Sequence, residues 1–374
     1  MCGEIKWVSQ TGELLSLLEG VGAGPLAVDT EADSMHHYPE KVCLVQLSFA
    51  GLDLLLDPLA ELDLQTALQP LLGDPGIPKI MHGADYDLRM LHRDFGVEVR
   101  GLFDTMLAAR LTGERSFGLA ALLLKHLGVE LNKRYQRADW SQRPLPAEMR
   151  SYAAMDTRHL HRLAGLFATE LESLGRSAWA REEFDRLEQV RWREHADDAA
   201  YRRLKGSGSL SRRGLALLRE LVALREREAI EADRPPFKIL SNEALLSIAR
   251  EAPQSERELV ERTRLPASWS SGRRLRRLWK AVKRALDQPE SLLPEVKRSE
   301  GKRATKSFEK RLRLLCKRRE TLAGELGIEP SVLAARSVLG KALSNRERGE
   351  SLDAIPELRE WQAGLLRPLF DGIA

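Results

Sequence analysis

The segment from Pro25 to Glu31 limits the possible folds more than any other, because it is an apolar run that ends in two acidic residues. Its length and content predict a buried β-strand. Side chains alternate between the faces of a strand, so Asp29 and Glu31 point in the same direction. Two neighbouring carboxylates repel each other and are costly to desolvate. A divalent cation with a preference for oxygen ligands would relieve this cost, although a solvated acidic loop after a strand would match the same short segment.

The charge of the chain is divided unevenly along its length. Residues 1–200 contain 21 Lys and Arg against 31 Asp and Glu, whereas residues 201–374 contain 38 against 24. At 374 residues the chain is also too long for one ordinary core, so we expect two or three domains. An acidic half joined to a basic half predicts catalysis in the first and polyanion binding in the second, unless the basic residues are scattered over solvated helix faces.

Composition argues against several classes of protein. A hydrophobic content of 43% and a charged content of 30% are typical of a soluble globular protein. No apolar run approaches the roughly 18 residues needed to span a bilayer, and the N-terminus lacks the pattern of a secretion signal. The three cysteines have neither the spacing of a disulfide framework nor that of a zinc site. We therefore expect a cytoplasmic protein with no membrane partner.

Strand and helix patterns alternate in the first half of the chain, which is typical of an α/β layered domain. Helices dominate after Asp104, and the Gly/Ser run 206–209 and the polar segment 288–305 predict two linkers. From apolar periodicity and turn residues, further strands are predicted at 42–49, 52–56, 79–83 and 102–103, and helices at 11–19, 62–72 and 87–94.

Two more acidic sites accompany the first one. Asp85 and Asp87 follow the predicted strand at 79–83, and Tyr152 and Asp156 lie later in the chain. Pro146 suits the start of a helix. Tyr152 and Asp156 are four residues apart, so they lie on one face of that helix, one turn from each other. Each acidic site by itself is weak support for a functional site, but all three occur together far less often by chance.

The order and spacing of these sites resemble the ribonuclease D family, in the DEDDy branch of the DEDD 3′–5′ exonucleases. The resemblance covers most of the chain. Residues 211–286 resemble the helicase-and-RNase-D C-terminal (HRDC) domain, notably over 234–245, and residues 306–370 resemble a second, divergent copy. The motifs of the first part are Asp29-Thr30-Glu31, Tyr38-Pro39, Leu44-Val45-Gln46-Leu47, Lys79-Ile80-Met81-His82 through Asp87-Leu88, Phe103-Asp104-Thr105, Asp139-Trp140-Ser141-Gln142-Arg143-Pro144-Leu145 and Tyr152-Ala153-Ala154-Met155-Asp156.

This resemblance implies a fold class and a domain order. Residues 1–195 would form an α/β ribonuclease-H-like exonuclease domain, in which helices flank a mixed sheet. All-α HRDC-type helical domains would follow at 207–290 and, as the divergent copy, at 306–374.

The resemblance also implies roles for five residues. Asp29, Glu31, Asp87 and Asp156 would be the catalytic ligands of two Mg²⁺ or Mn²⁺ ions, and Tyr152 would orient the attacking water. Two such ions can stabilise the attacking and leaving oxygens of a phosphodiester. The expected activity is metal-dependent 3′–5′ hydrolysis of RNA. Trimming of tRNA precursor 3′ ends is the implied task, and a monomer is the favoured state.

Some assignments leave alternatives open. Asp85 competes with Asp87 as the second-motif ligand. The family spacing favours Asp87, which leaves Asp85 as a helix N-cap. His82 ends a strand beside the site, where it would either contact substrate or have only a structural role. Gln46 is a further candidate for substrate binding.

Residues 273–284 hold seven cations and no acid, with an apolar seam that predicts a helix with a basic outer face. Such a face binds phosphates without sequence preference, although it is also compatible with simple solvation. The candidates for RNA contact are Arg273, Arg274, Arg276 and Arg277.

Two other functions fit parts of the same pattern. One is a DNA-directed 3′–5′ exonuclease of the same branch. The other is a non-catalytic nucleic-acid-binding or recruitment protein, against which the presence of all four acids and the tyrosine argues.

Overall fold

The computed structural model describes residues 4–19, 21–22, 24–193, 197–296 and 305–373. The chain forms two compact units. The sheet unit comprises Met1–Ala32, Val42–Trp192 and Arg303–Ala374, and the helical unit comprises Asp33–Lys41 and Arg193–Lys302. Residues 297–304 of the predicted second linker lie outside the described residues. None of the helices described is long and apolar enough to cross a membrane.

Six strands of the described residues form one mixed sheet in the sheet unit, which confirms the predicted α/β class. Its strand order is β1-β4-β3-β2-β5-β6, and β2 pairs antiparallel with β3 and parallel with β5. The edge strand β1 was not predicted, because its alternation is short and only Val8 is fully buried. The strands are Glu4–Val8 (β1), Leu26–Ala32 (β2), Val42–Phe49 (β3), Leu52–Leu56 (β4), Lys79–Met81 (β5) and Leu102–Asp104 (β6).

Helices cover both faces of the sheet. One apolar core joins the sheet to the first three helices, and a second lies under α6. Local signals set the helix ends: Asp104 caps α4 by accepting hydrogen bonds from two backbone N–H groups, and Gly96 ends α3 at a φ of 67°. The helices are Thr11–Leu18 (α1), Leu64–Leu72 (α2), Asp85–Phe95 (α3), Thr105–Thr112 (α4), Leu119–Leu127 (α5), Ala147–Arg158 (α6), Leu160–Ser173 (α7) and Ser177–Leu187 (α8).

Five helices of the helical unit pack around an apolar core of their own. Ser211 and Ser241 cap two of them by accepting a hydrogen bond from a backbone N–H group. The run 206–209 is not a flexible linker as predicted but a hydrogen-bonded turn, in which Ser207 is buried and donates its hydroxyl to the Arg202 carbonyl. The helices are Arg212–Glu231 (α9), Pro236–Ile239 (α10), Asn242–Glu251 (α11), Glu256–Arg262 (α12) and Gly272–Leu286 (α13).

The last helices belong to the sheet unit, where they share one hydrophobic core with α4, α5, α7 and α8. Trp179 stacks on Trp361 with ring centroids 4.7 Å apart. Arg359 Nη2 donates to Glu183 Oε2 at 2.8 Å. The apolar residues of the helices after residue 305 thus contribute to this shared core. The helices are Lys306–Leu326 (α14), Pro330–Leu333 (α15), Arg336–Glu347 (α16) and Glu360–Leu366 (α17).

Candidate active site

The inner strand β2 carries two of the predicted acids. Asp29 and Glu31 alternate with Thr30, so both carboxylates lie on one face of the sheet, and both are partly buried. The backbone of β2 pairs with β3 from Ala27 to Ala32, and its first residues, Leu26 and Ala27, pair with β5 on the other side. The two side chains are therefore held near each other by the strand itself.

Helix α6 carries two further groups, Tyr152 and Asp156, one turn apart. The helix begins at Ala147, after Pro146. Tyr152 packs against the rings of Tyr135 and Trp140, with centroids 5.8 and 6.0 Å away. These two aromatic contacts fix the orientation of the tyrosine ring.

Two ion pairs anchor the two ends of α6 to the sheet. Before the helix, Arg143 donates to both carboxylate oxygens of Asp57, at 2.9 and 2.6 Å. At its end, Arg158 Nε donates to Asp53 Oδ2 at 2.7 Å. Buried hydrogen bonds also surround Ser48, whose Oγ lies 2.7 Å from the hydroxyl of α6 residue Thr157. The position of α6 over β3 and β4 is thus set at both ends.

Asp87 lies in the first turn of α3, where it is 8% exposed and accepts a 2.5 Å hydrogen bond from the Thr30 hydroxyl. Asp85 is exposed and forms a bidentate ion pair with Arg89, at 2.8 and 3.0 Å. It is the first residue of the helix and caps nothing, so the predicted N-cap role was wrong. Its carboxylate is instead held outward by an arginine one turn along.

The acids on β2, α3 and α6 affect one another's pKa values. Burial raises the pKa of Asp29 well above its usual range, and the charges of Asp87, Asp156 and Glu31 raise it further. The pKa of Glu31 is also raised by burial and then by Asp156 and Asp87. Burial raises the pKa of Asp87 to about 6, against the lowering effect of the Thr30 hydrogen bond, and that of Asp156 to about 7.

The residues present suit divalent cations. Among the described residues, none of the four acids forms an ion pair with Lys, Arg or His, in contrast to the neighbouring Asp53 and Asp57. No three His, Cys, Asp or Glu side chains in the described ranges stand in a ready-made metal-binding arrangement. The donor set nevertheless consists of four clustered carboxylates, and hard cations such as Mg²⁺ and Mn²⁺ bind such oxygens. A cation would also offset the burial and the repulsion that raise the pKa values of these acids.

Gln46 does not fit the predicted role of a substrate contact. It has no exposed surface, and neither its amide oxygen nor its amide nitrogen has a hydrogen-bond partner among the described residues. It stands directly opposite Asp29 in the β2–β3 register, so the two side chains share a face of the sheet. The residue therefore lies among the buried groups of the site.

His82 follows β5 and is partly buried. Its Nδ1 lies 2.8 Å from the Thr105 hydroxyl, and burial lowers its pKa, against the raising effect of Asp104. These contacts support the structural alternative for His82. Asp104 caps α4 and also accepts a hydrogen bond from the Ala84 N–H, so it is a structural acid.

A pocket of about 450 Å³ beside Tyr152 was not predicted from the sequence. It lies along the part of α6 that precedes Asp156, and it has both apolar and polar walls. A helical pattern at Glu148, Ser151, Tyr152 and Met155 was the available signal, since these residues share one face of α6. Its lining residues include Leu131, Asn132, Arg134, Tyr135, Ser151 and Met155.

Only part of the basic face of α13, in the helical unit, is exposed for contact with phosphates. Arg273, Arg274 and Arg276 are exposed, and the Arg274 guanidinium lies 5.9 Å from the Trp269 ring centroid. Arg277 differs, because its Nη1 donates to Glu228 at 2.5 Å and to Glu231 at 3.0 Å. Arg277 is thus partly neutralised by α9, which the sequence pattern did not reveal.

Two family models and a solved structure are similar to this chain. Residues 5–172 match a family model described as a 3′–5′ exonuclease, and residues 214–268 match the HRDC domain. A crystal structure of Escherichia coli RNase D, described as an exoribonuclease involved in structured RNA processing, is similar with a TM-score of 0.77. It is 28% identical, and the match covers 98% of both chains.

Curated relatives fall into two groups. Exosome complex component 10 of Mus musculus is 35% identical over 269 residues, which is 68% of this chain but 30% of that protein. This chain therefore spans about a third or less of the exosome relatives that it matches. Ribonuclease D of Gluconacetobacter diazotrophicus is 31% identical over 312 residues, 82% of this chain and 79% of that protein.

The raised pKa values predict how pH affects the stability of EDTA-treated protein. An acid whose pKa is higher in the folded state stabilises the fold while protonated, and this contribution is lost as the pH rises through the folded-state value, here about 7 for Asp156. Asp156→Asn removes one repelling charge. Relative to wild type, its melting temperature should therefore rise by several degrees between pH 5 and pH 8. A difference that does not change with pH would contradict the raised pKa of Asp156 in the folded state.

The two acids of α3 should give opposite phenotypes. Asp85→Ala removes an exposed pair with Arg89, so unfolding free energy should fall by at most about 0.5 kcal/mol, with an unchanged single-turnover rate. Loss of a hydrogen-bond partner of a metal ligand typically costs up to about 100-fold in activity, and loss of a ligand should cost at least as much. Asp87→Ala should therefore lower that rate by at least about 100-fold. Circular dichroism provides the control for folding. A slow Asp85→Ala and an active Asp87→Ala would reverse the assignment.

Proposed function

This chain belongs to the ribonuclease D family, and we propose that it is a metal-dependent 3′–5′ exoribonuclease. The observation that carries the proposal is that four acids and one tyrosine from β2, α3 and α6 come together, and that the acids have no cationic partner in the described part of the chain. Members of this family depend on divalent metal. The four carboxylates would hold two Mg²⁺ or Mn²⁺ ions.

When bound, such ions stabilise the attacking and leaving oxygens of a phosphodiester and lower the pKa of water. The chain's own contribution is to hold the donors in place. Asp29 and Glu31 come from a strand fixed on both sides, and Asp156 comes from a helix anchored at both ends. Positioning of this kind supplies much of the rate in phosphoryl chemistry.

Tyr152 is suited to orient the attacking water. Burial raises the pKa of its hydroxyl above the usual range, and the charges of Asp156, Glu31 and Asp29 raise it further. The phenol therefore stays protonated at neutral pH, so it donates and accepts hydrogen bonds but does not remove a proton. Its ring is held by Tyr135 and Trp140.

RNA is the substrate that the observations favour. The similar Escherichia coli protein is described as acting on structured RNA, and the match extends over nearly the whole of both chains. The basic face of α13 provides exposed guanidinium groups for phosphates. Within this class, trimming of tRNA precursor 3′ ends in the cytoplasm is our specific proposal. A functional monomer is part of the same proposal.

One assay separates this function from its two alternatives. RNA and DNA oligonucleotides of matched sequence, labelled at the 5′ end, are incubated with Mg²⁺, Mn²⁺ or EDTA. We expect a ladder of shortened RNA with either metal and none with EDTA. Preferred shortening of DNA would favour the DNA-directed alternative, and binding without cleavage would favour a recruitment protein.

Two variants test the site in the same assay. Asp29→Asn should abolish cleavage and leave RNA binding intact. Tyr152→Phe keeps the ring packing and removes the hydroxyl, so cleavage should slow by about 100-fold, as expected for a misplaced reactant. Equal activity of Tyr152→Phe and wild type would exclude the positioning role.

The exposed arginines of α13 should contribute to RNA affinity through salt-dependent binding of phosphates. Replacing Arg273, Arg274 and Arg276 with Gln should weaken binding of a tRNA-sized RNA and reduce the salt slope by about 0.7–0.9 for each phosphate that is no longer neutralised. Cleavage of a short oligonucleotide should not change. The matched control replaces three arginines that already face acids and so should leave the slope unchanged, namely Arg257, Arg262 and Arg264. Equal slopes in both triple variants would show that net charge alone matters.

A further inference from the structure

The side chain of Gln46 is a buried polar group in the middle of an apolar strand. All eight residues of β3 are buried. Within the described ranges, both polar atoms of the Gln46 amide lack a hydrogen-bond partner, so exchanging its oxygen and nitrogen does not satisfy either of them. Burying an amide in this way is unfavourable, because it loses its hydrogen bonds to water.

Ser48, a second polar residue on β3, differs from Gln46 because its side chain has hydrogen-bond partners. Ser48 lies two residues along, on the same face, and its hydroxyl contacts Asp53 at 2.5 Å and Thr157 at 2.7 Å. A Leu or Met in place of Gln46 would fill similar volume without any unsatisfied group. Packing therefore does not account for the presence of a glutamine.

The register of the sheet places a ligand-forming group within reach of this amide. Gln46 is directly opposite Asp29 on β2. Opposed side chains on antiparallel strands have Cβ atoms about 4.5–5.5 Å apart, a distance that a glutamine side chain spans. On its other side Gln46 opposes Leu55 of β4, an apolar residue that offers no hydrogen bond. Asp29 is thus the polar group that the strand pairing presents to Gln46.

We propose that Gln46 is a positioning residue for Asp29. Its amide N–H₂ donates to the Asp29 carboxylate when a divalent cation is bound, and this hydrogen bond holds the carboxylate in the orientation that leaves an oxygen for the ion. Hydrogen-bond partners behind metal ligands commonly fix ligand orientation and tune affinity. The inference rests on the proposed function, because it concerns the same carboxylate.

The test uses the full chain with Gln46→Met, a substitution of nearly equal volume that removes the donor. Calorimetric titration with Mn²⁺ should show about tenfold weaker binding than wild type, the lower range for loss of such a partner. In EDTA the melting temperature of the variant should be equal to that of wild type or higher, because an unsatisfied amide is removed. A group with a merely structural role would lower the melting temperature and leave Mn²⁺ affinity unchanged.

Kinetics give a second readout. For Gln46→Met, kcat at saturating RNA should fall at low Mn²⁺ and recover as Mn²⁺ is raised, while KM for RNA stays constant. The control is Ser48→Ala, on the same strand and face, which removes a satisfied hydroxyl. Ser48→Ala should lower the melting temperature, leave Mn²⁺ affinity unchanged and show no recovery with added metal.

The outcomes separate this inference from the proposed function. Mn²⁺ binding by wild type together with unchanged binding by Gln46→Met would overturn the role of Gln46 and leave the proposed function standing. Absence of Mn²⁺ binding by wild type would overturn both. Weaker Mn²⁺ binding by Gln46→Met and by Ser48→Ala to the same extent would also overturn the inference, since any disturbance of β3 would then have this effect.

Discussion

The burial of four carboxylates close together, without a counter-charge among the described residues, is the constraint on which this structure depends. Two kinds of buried acid lie close together on the sheet unit. Asp53 and Asp57 are each paired with an arginine, whereas Asp29 and its three acidic neighbours have no cationic partner among the described residues. Burial without a counter-charge raises a carboxyl pKa and costs folding free energy. Because a bound cation would relieve that cost, the feature that weakens the fold also suits these residues to the metal binding that we propose.

A rigid frame is needed to keep such groups together. The paired acids provide part of it, since Asp57 and Asp53 anchor the two ends of α6 through Arg143 and Arg158. The remainder comes from packing: strand β2 lies between two hydrogen-bonded neighbours, and α14–α17 share an apolar core with the helices that flank the sheet. Ion pairs therefore position α6. Burial of apolar side chains stabilises the fold and offsets the unfavourable free energy of the buried acids.

The sequence by itself determined the local geometry of the site. Strand alternation placed Asp29 and Glu31 on one face, and helical periodicity placed Tyr152 and Asp156 one turn apart; both are properties of a few consecutive residues. The interleaving of strands and helices also predicted the α/β class. The family motifs then indicated that these separated segments belong to one site, which local periodicity alone does not show.

Only the tertiary structure decided which polar groups are buried, paired or exposed. Asp85 was predicted to be a cap, but its carboxylate pairs with Arg89 on the surface. Gln46 was predicted to meet substrate, but α6 and the sheet bury it completely. Arg277 belongs to a uniformly basic stretch in the sequence, yet acids on α9 neutralise part of its charge. Each of these outcomes depends on residues distant in the chain, because burial and ion pairing are set by what packs against a segment and not by the segment's own pattern.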